Sequence, residues 1–215
     1  MEPTSIFRKA LRDANRGCPL AAYAIAQFYC DGEEGVVEDE RLYIHWLRKG
    51  ADLGGKECQW ELSMHYRHGE HGLEQDDVEA HELVEAAAHN GAACAQQLTG
   101  RDYLDGVGVT KNEETAVEWF KLSAAQGNGV GEYLLALCYL GGGGIRQNDK
   151  LGIHFLRRAS KHLTEENNSR ACCALNRLGE LYLEGSHGLR EDKKEGMKLV
   201  KQAADLSCAS ALYNL

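Results

Sequence analysis

The stretch "SMHYRHGEHG", residues 63–72, holds His65, His68 and His71 at steps of three, with Glu70 among them. Imidazoles and a carboxylate at helical spacing are the donor types that bind zinc or nickel. The same stretch also carries Tyr66, Gly69 and Gly72, and glycine is where a helix stops. If the helix ends at Gly69, His71 lies on a loop and need not share a face with His65 and His68. The expectation is therefore a solvated helix end with polar loop residues and no metal, although such a cluster could hold nickel or zinc adventitiously.

Whether that helix exists is decided by the rest of the chain. The 215 residues are enough for one large domain or a short repeat array, and 43% of them are hydrophobic, which excludes a disordered chain. The only prolines are Pro3 and Pro19, so long helices are permitted. The 24 glycines then have to sit between helices. A net charge of −9 without a Lys/Arg stripe argues against nucleic-acid binding. No apolar run is long enough to span a membrane. The opening "MEPTSIFRKALRDANRG" lacks the basic and apolar regions of a secretory signal. The expected location is cytoplasmic, or secreted or periplasmic if a signal has been removed.

Self-similarity supplies the architecture. Tyr29, Tyr66, Tyr103, Tyr139 and Tyr182 are each followed by a glycine-bearing segment, at steps of 37, 37, 36 and 43. After each comes an Asp or Asn: Asp39, Asp76, Asn112, Asn148 and Asp192. These side chains suit helix N-caps, because their oxygens accept bonds from orphan N–H groups. Four residues on stand Tyr43, Ala80, Ala116, Gly152 and Gly196, and three further Trp46, Leu83, Trp119, Phe155 and Leu199. A small pair follows, as in Gly50-Ala51 and Ala87-Ala88, and the set lies on one helix face. Each unit reads as a helix A ending near its Tyr, a loop, and a helix B. Small or apolar residues recur four and three before each Tyr and are expected to be buried.

This pattern resembles Sel1-like repeats, relatives of tetratricopeptide repeats with a longer loop between helices. Leu178, Gly179, Tyr182, Gly185, Gly188 and Asp192, with residues 115–120 and 124–127, carry the resemblance, which covers residues 19–208. It implies an all-α, right-handed superhelical solenoid of about five helix–turn–helix repeats. The expected segments are a capping helix in 1–18, repeats at 19–55, 56–91, 92–127, 128–168 and 169–208, and the start of a sixth helix A at 209–215. "HLTEENNSRA" lengthens the fourth unit by about seven residues, as an extended helix or a bulging loop. Either the chain is a piece of a longer array, or its last interface is open, in which case that C-terminal edge is an expected surface for a partner or for self-association.

The resemblance implies binding of a protein or peptide, as adaptor, scaffold, regulator, effector or toxin-immunity protein, with no cofactor. By analogy with tetratricopeptide arrays, the A helices line a concave face. The side chains flanking the buried position of each helix A would then be Tyr23 and Gln27, Trp60 and Met64, Gln97 and Arg101, Tyr133 and Leu137, and Asn176 and Glu180. Trp and Tyr are enriched in binding hot spots. Trp60 stands where the other units have Tyr, Gln, Tyr and Asn; it either reads a partner or packs on a neighbouring helix. The acidic chain would suit a basic partner.

The alternative is an enzyme similar to the cysteine-rich Sel1-like group linked with β-lactam hydrolysis. No Ser here has Lys three positions on, and the nucleophile-elbow, zincin, phosphate-loop and dinucleotide motifs are absent. The eight cysteines, Cys18, Cys30, Cys58, Cys94, Cys138, Cys172, Cys173 and Cys208, form no C-x-x-C and no regular pairs. Cys58, Cys94 and Cys173 fall at like positions of helix A and read as core filling. Adjacent Cys172 and Cys173 point apart on a helix and are poorly placed to bond to each other.

Overall fold

The computed structural model describes residues 3–162 and 168–213, and these residues are helical, without a strand. The predicted lengthening at "HLTEENNSRA" falls largely on residues outside the described ones. The chain divides into two compact units, residues 1–111 and 112–215, with the division inside the third repeat.

The first unit holds α1 (Ser5–Asn15), α2 (Pro19–Asp31), α3 (Glu40–Asp52), α4 (Lys56–His68), α5 (Asp77–His89) and α6 (Ala93–Asp105). The second holds α7 (Glu113–Ala125), α8 (Gly129–Gly141), α9 (Asp149–Ala159), α10 (Asn168–Glu184), α11 (Lys193–Asp205) and α12 (Ala209–Tyr213). Within each unit consecutive helices pack on one another.

The five acidic or amide residues are the N-caps expected of them. Asp39, Asp76, Asn112, Asn148 and Asp192 each accept a backbone N–H from the first turn of α3, α5, α7, α9 and α11. The cap residue also closes the loop. The N–H groups of Asp39, Asp76, Asn148 and Asp192 donate to the carbonyls of Tyr29, Tyr66, Tyr139 and Tyr182 at 2.8–2.9 Å. That bond holds the spacing between Tyr and cap nearly constant.

Each helix A stops where a left-handed residue is required. Gly69 caps α4 with φ 68°, and its N–H donates to the His65 carbonyl. A side chain there would carry a backbone penalty that glycine avoids. Burial follows the predicted code. Ile25, Ala26, Leu62, Ser63, Thr99, Leu135, Ala136 and Leu178, at four and three before the repeat tyrosines, are all buried.

Three of the five tyrosines tie their repeat to its predecessor. Arg48 of α3 donates to the Tyr66 hydroxyl at 3.0 Å, Tyr103 donates to Glu85 of α5 at 2.8 Å, and Arg157 of α9 donates to Tyr182 at 2.9 Å.

A second tie lies five residues after each tyrosine. Glu34, His71, Gly108, Gly144 and His187 all adopt positive φ, between 51° and 69°. Each sits over the N-terminus of an earlier helix. A Cβ at Gly108 would fall 1.9 Å from the Asp77 carbonyl oxygen, so only glycine fits. At the two histidine positions the side chain turns instead to the acidic first residue of that helix. His71 Nδ1 lies 3.3 Å from Glu40, and His187 Nδ1 lies 2.7 Å from Asp149.

Candidate functional site

Helices α2, α4 and α6 carry three of the five predicted pairs of groove residues. Apolar and small residues turn one face of each helix into the core: Ala22, Ile25 and Ala26 on α2, Cys58 and Leu62 on α4, Ala95 on α6. The side chains two positions away stay half-buried at the surface. Among them opens a cavity of about 570 Å³, lined by Tyr23, Lys56, Glu57, Trp60, Glu61, Met64, His65 and residues 92–94.

Three of the ten predicted residues, Tyr23, Trp60 and Met64, thus share one cavity. Trp60 is half-buried along its wall rather than enclosed in the core. Gln27 stands behind, its amide donating to Glu61 at 2.9 Å. Gln97 and Arg101, on α6, are half-buried outside the lining.

In the second unit the predicted residues do not form a comparable site. Tyr133 is half-buried and packs on the cluster of Ala136, Leu140, Leu156 and Leu178. Leu137 is half-buried too. Asn176 is buried, contrary to the expectation that it projects outward, and it donates to Glu180 at 2.7 Å. Arg177 reaches the same carboxylate at 2.9 Å. Glu180 is engaged by its own helix, and Asn176 is unexposed because that helix face is turned inward.

The carboxylates in the cavity were not singled out by spacing. Glu57 and Glu61 belong to α4, one on each side of Trp60, and no repeat pattern marks them. Their effect is electrostatic. Burial first, and then the Glu61 carboxylate, pushes the Tyr23 hydroxyl up to about 12. Burial and Glu61 also push Tyr43 upward. Both phenols stay protonated near neutral pH, and the cavity presents that of Tyr23 beside the Glu57 and Glu61 carboxylates, with Tyr43 buried in the core.

The histidine stretch is organised differently from a solvated helix end. His65 is buried, with Nε2 2.7 Å from the Tyr43 hydroxyl and Nδ1 3.1 Å from Glu70. The left-handed turn brings the His71 ring to 4.5 Å from that of His65 and 5.0 Å from Tyr43, between centroids. His68 alone of the three is exposed. Tyr43 and Glu70 hydrogen-bond the His65 ring, and His71 stands against that ring, Tyr43 and Glu40, so the cluster joins repeats one and two. No three of its His, Asp or Glu donors converge as metal ligands among the described residues.

The cysteines divide by environment. Cys58, expected beside Cys94 at a like position, is fully buried and pushed up to about 12 by burial, whereas Cys94 is exposed at the cavity rim. The two are one helix position out of register. Burial likewise raises Cys138 to about 11. Cys172 rises to about 12, by burial and by hydrogen bonds with Cys208 and Cys173. Thiols held protonated in this way are poor nucleophiles.

The repeat assignment is independent of this geometry. The Sel1 repeat model matches residues 19–55, 56–91, 95–128, 129–162 and 174–208. The chain belongs to the Sel1 repeat family. No curated protein matches it. Among solved structures it is similar to a Sel1 repeat protein from Oxalobacter formigenes, at 24% identity and TM-score 0.73, covering 93% of this chain and 78% of that one. It is also similar to c5321, a protective antigen of uropathogenic Escherichia coli with an SLR fold, at 21% identity and TM-score 0.68. That match covers 97% of this chain and 50% of the antigen. The immunity protein Pa5087 from Pseudomonas aeruginosa matches at 16% identity and TM-score 0.50, covering 93% and 73%. At these identities the similarity is one of fold. Sel1 repeats are a scaffold whose usual role is protein–protein interaction. No helix among the described residues is long and apolar enough to cross a membrane.

Proposed function

We propose that this Sel1 repeat protein is a non-catalytic adaptor that binds a basic segment of a partner protein through the cavity on α2, α4 and α6. The observation that carries this reading is the lining itself. An indole, a phenol and a thioether form the wall, with two carboxylates, Glu57 and Glu61, against one ammonium, Lys56, and the His65 imidazole. A lysine or arginine side chain can lay its aliphatic stem on the apolar wall. Its charge then meets the Trp60 ring face and the carboxylates. The net charge of −9 adds attraction at longer range. Trp60 is the residue expected to dominate affinity, with Tyr23, Met64 and Glu61 supporting it. Gln27, Gln97 and Arg101 would extend the contact along the same helices.

The test is a fluorescence-polarisation screen of labelled peptides that pair Arg or Lys with an apolar neighbour, alongside acidic counterparts. Basic peptides should bind in preference and lose affinity as salt rises. Trp60→Ala should weaken binding by about thirtyfold, the effect of removing a hot spot of about 2 kcal/mol. Glu61→Gln should weaken it less and flatten the salt dependence. Equal binding by wild type and Trp60→Ala, with unchanged circular dichroism, would refute this site. The β-lactam-hydrolase reading has less support: the sequence holds no Ser-x-x-Lys, and burial holds Cys58 and Cys138 protonated.

A further inference from the structure

Cys172 and Cys173 are neighbours on α10, and Cys208 is the residue just before α12. Folding brings them together: all three Sγ atoms lie within 4.8 Å of one another. They are the one such group of three potential metal ligands among the described residues. Cys172 and Cys208 are buried and Cys173 is half-buried. The surroundings are apolar. Leu175, Val200, Ala203 and Ala211 form the cluster, with Leu183, Leu199, Ala204 and Leu206 packed against it. No disulfide joins any of the three.

Three sulfurs about 2.3 Å from a shared ion stand about 4 Å apart in a trigonal plane. Sγ separations of at most 4.8 Å are close to that spacing. Thiolates select soft ions over hard ones. The group contains no fourth protein donor, and its apolar wall disfavours the water that four-coordinate zinc would take instead.

We propose that Cys172, Cys173 and Cys208 form a trigonal thiolate site for a soft d10 ion, copper(I) before zinc(II), clamping α12 to α10. Each S–metal bond replaces an S–H bond and releases its proton to solvent. Half-buried Cys173 is the point of entry. The role is structural: Cys208 stands immediately before α12 while Cys172 and Cys173 lie on α10, so one shared ion would tie the two helices together.

The test is an anaerobic titration of the reduced full chain with copper(I) in competition with bicinchoninate. Cadmium(II) serves as a second probe, read by its sulfur-to-metal ultraviolet absorption. Wild type and the distant control Cys30→Ser should each hold one equivalent of copper(I), with a raised melting temperature. Cys208→Ser and Cys173→Ser should bind at least tenfold more weakly, lose that thermal shift and show less cadmium absorption per ion. Having two variants keeps the test decisive if one fails to fold. Wild-type affinity in a folded Cys208→Ser or Cys173→Ser chain would overturn the site, as would equal losses in Cys30→Ser. Zinc held in preference to copper(I), but with the same dependence on Cys173 and Cys208, would support the clamp and correct the ion.

Discussion

Removing Arg67 should cost this protein far more than removing an ordinary surface arginine. Arg67, near the end of α4, makes a bidentate contact with Asp102 of α6, at 3.0 Å from Nη1 to Oδ1 and 2.7 Å from Nη2 to Oδ2. The Asp102 side chain is 3% exposed and that of Arg67 is 16% exposed. His81 Nδ1, from α5, lies 3.3 Å from the same carboxylate. One buried charge thus joins three consecutive helices. At a charge separation of about 4 Å and an effective dielectric of about 20, the attraction is about 4 kcal/mol. Desolvation offsets much of that in the intact pair, but a partner left behind has no such compensation. Arg67→Met should therefore destabilise the first unit by about 3–5 kcal/mol, and Asp102→Leu by a similar amount. The double variant should recover to within about 1–2 kcal/mol of wild type, because it buries no unpaired charge. Urea unfolding of all four chains, followed by circular dichroism, measures the cycle. Two single losses below about 1 kcal/mol that simply add in the double variant would show that the pair is solvated and that the burial argument fails.

Two further outcomes follow from the latches and the packed glycines. The hydrogen bond from His187, then one from Gln147, holds the Asp149 carboxyl below the usual carboxylate range. A depressed acid stabilises the fold above its unfolded pKa, and the benefit is lost as pH falls through the folded value. The contact should therefore weaken only in strong acid, and His187→Ala should move the Asp149 carboxyl carbon titration in NMR upward; an unmoved titration would refute the latch. Gly50→Ala should destabilise by about 1–3 kcal/mol, since its Cβ would fall 2.3 Å from Cys58 Sγ, while Gly141→Ala, with nothing within 4 Å, should be neutral or stabilising by up to about 1 kcal/mol. Thermal melts compare the two directly, and equal shifts would contradict the packing.

The repeat was legible because its determinants are local. An N-cap oxygen, a glycine at a left-handed turn and an apolar stripe act within one or two helical turns, so Asp39, Gly69 and Ile25 announce their roles in the sequence. The candidate cavity was legible only in part. Tyr23, Trp60 and Met64 were placed by helical spacing together with the analogy to tetratricopeptide arrays, but Glu57 and Glu61 were not, because an exposed and a cavity-lining glutamate look alike in a string of letters. Asn176 shows the converse: a correct helix position did not reveal which way that face is turned.

Sequence alone therefore determined the helices, their order, the N-caps of the B helices and the glycine stops of the A helices, because backbone hydrogen bonding and capping are settled by near neighbours. Only tertiary structure decided which distant side chains meet. The left-handed turn folds His71 back onto His65 and Tyr43, a 35-residue path closes Arg67 onto Asp102, and another repeat's length of chain returns Cys208 to Cys172. Those meetings depend on the packing angle of one repeat on the next. That angle is a sum over many small contacts, and no single residue encodes it.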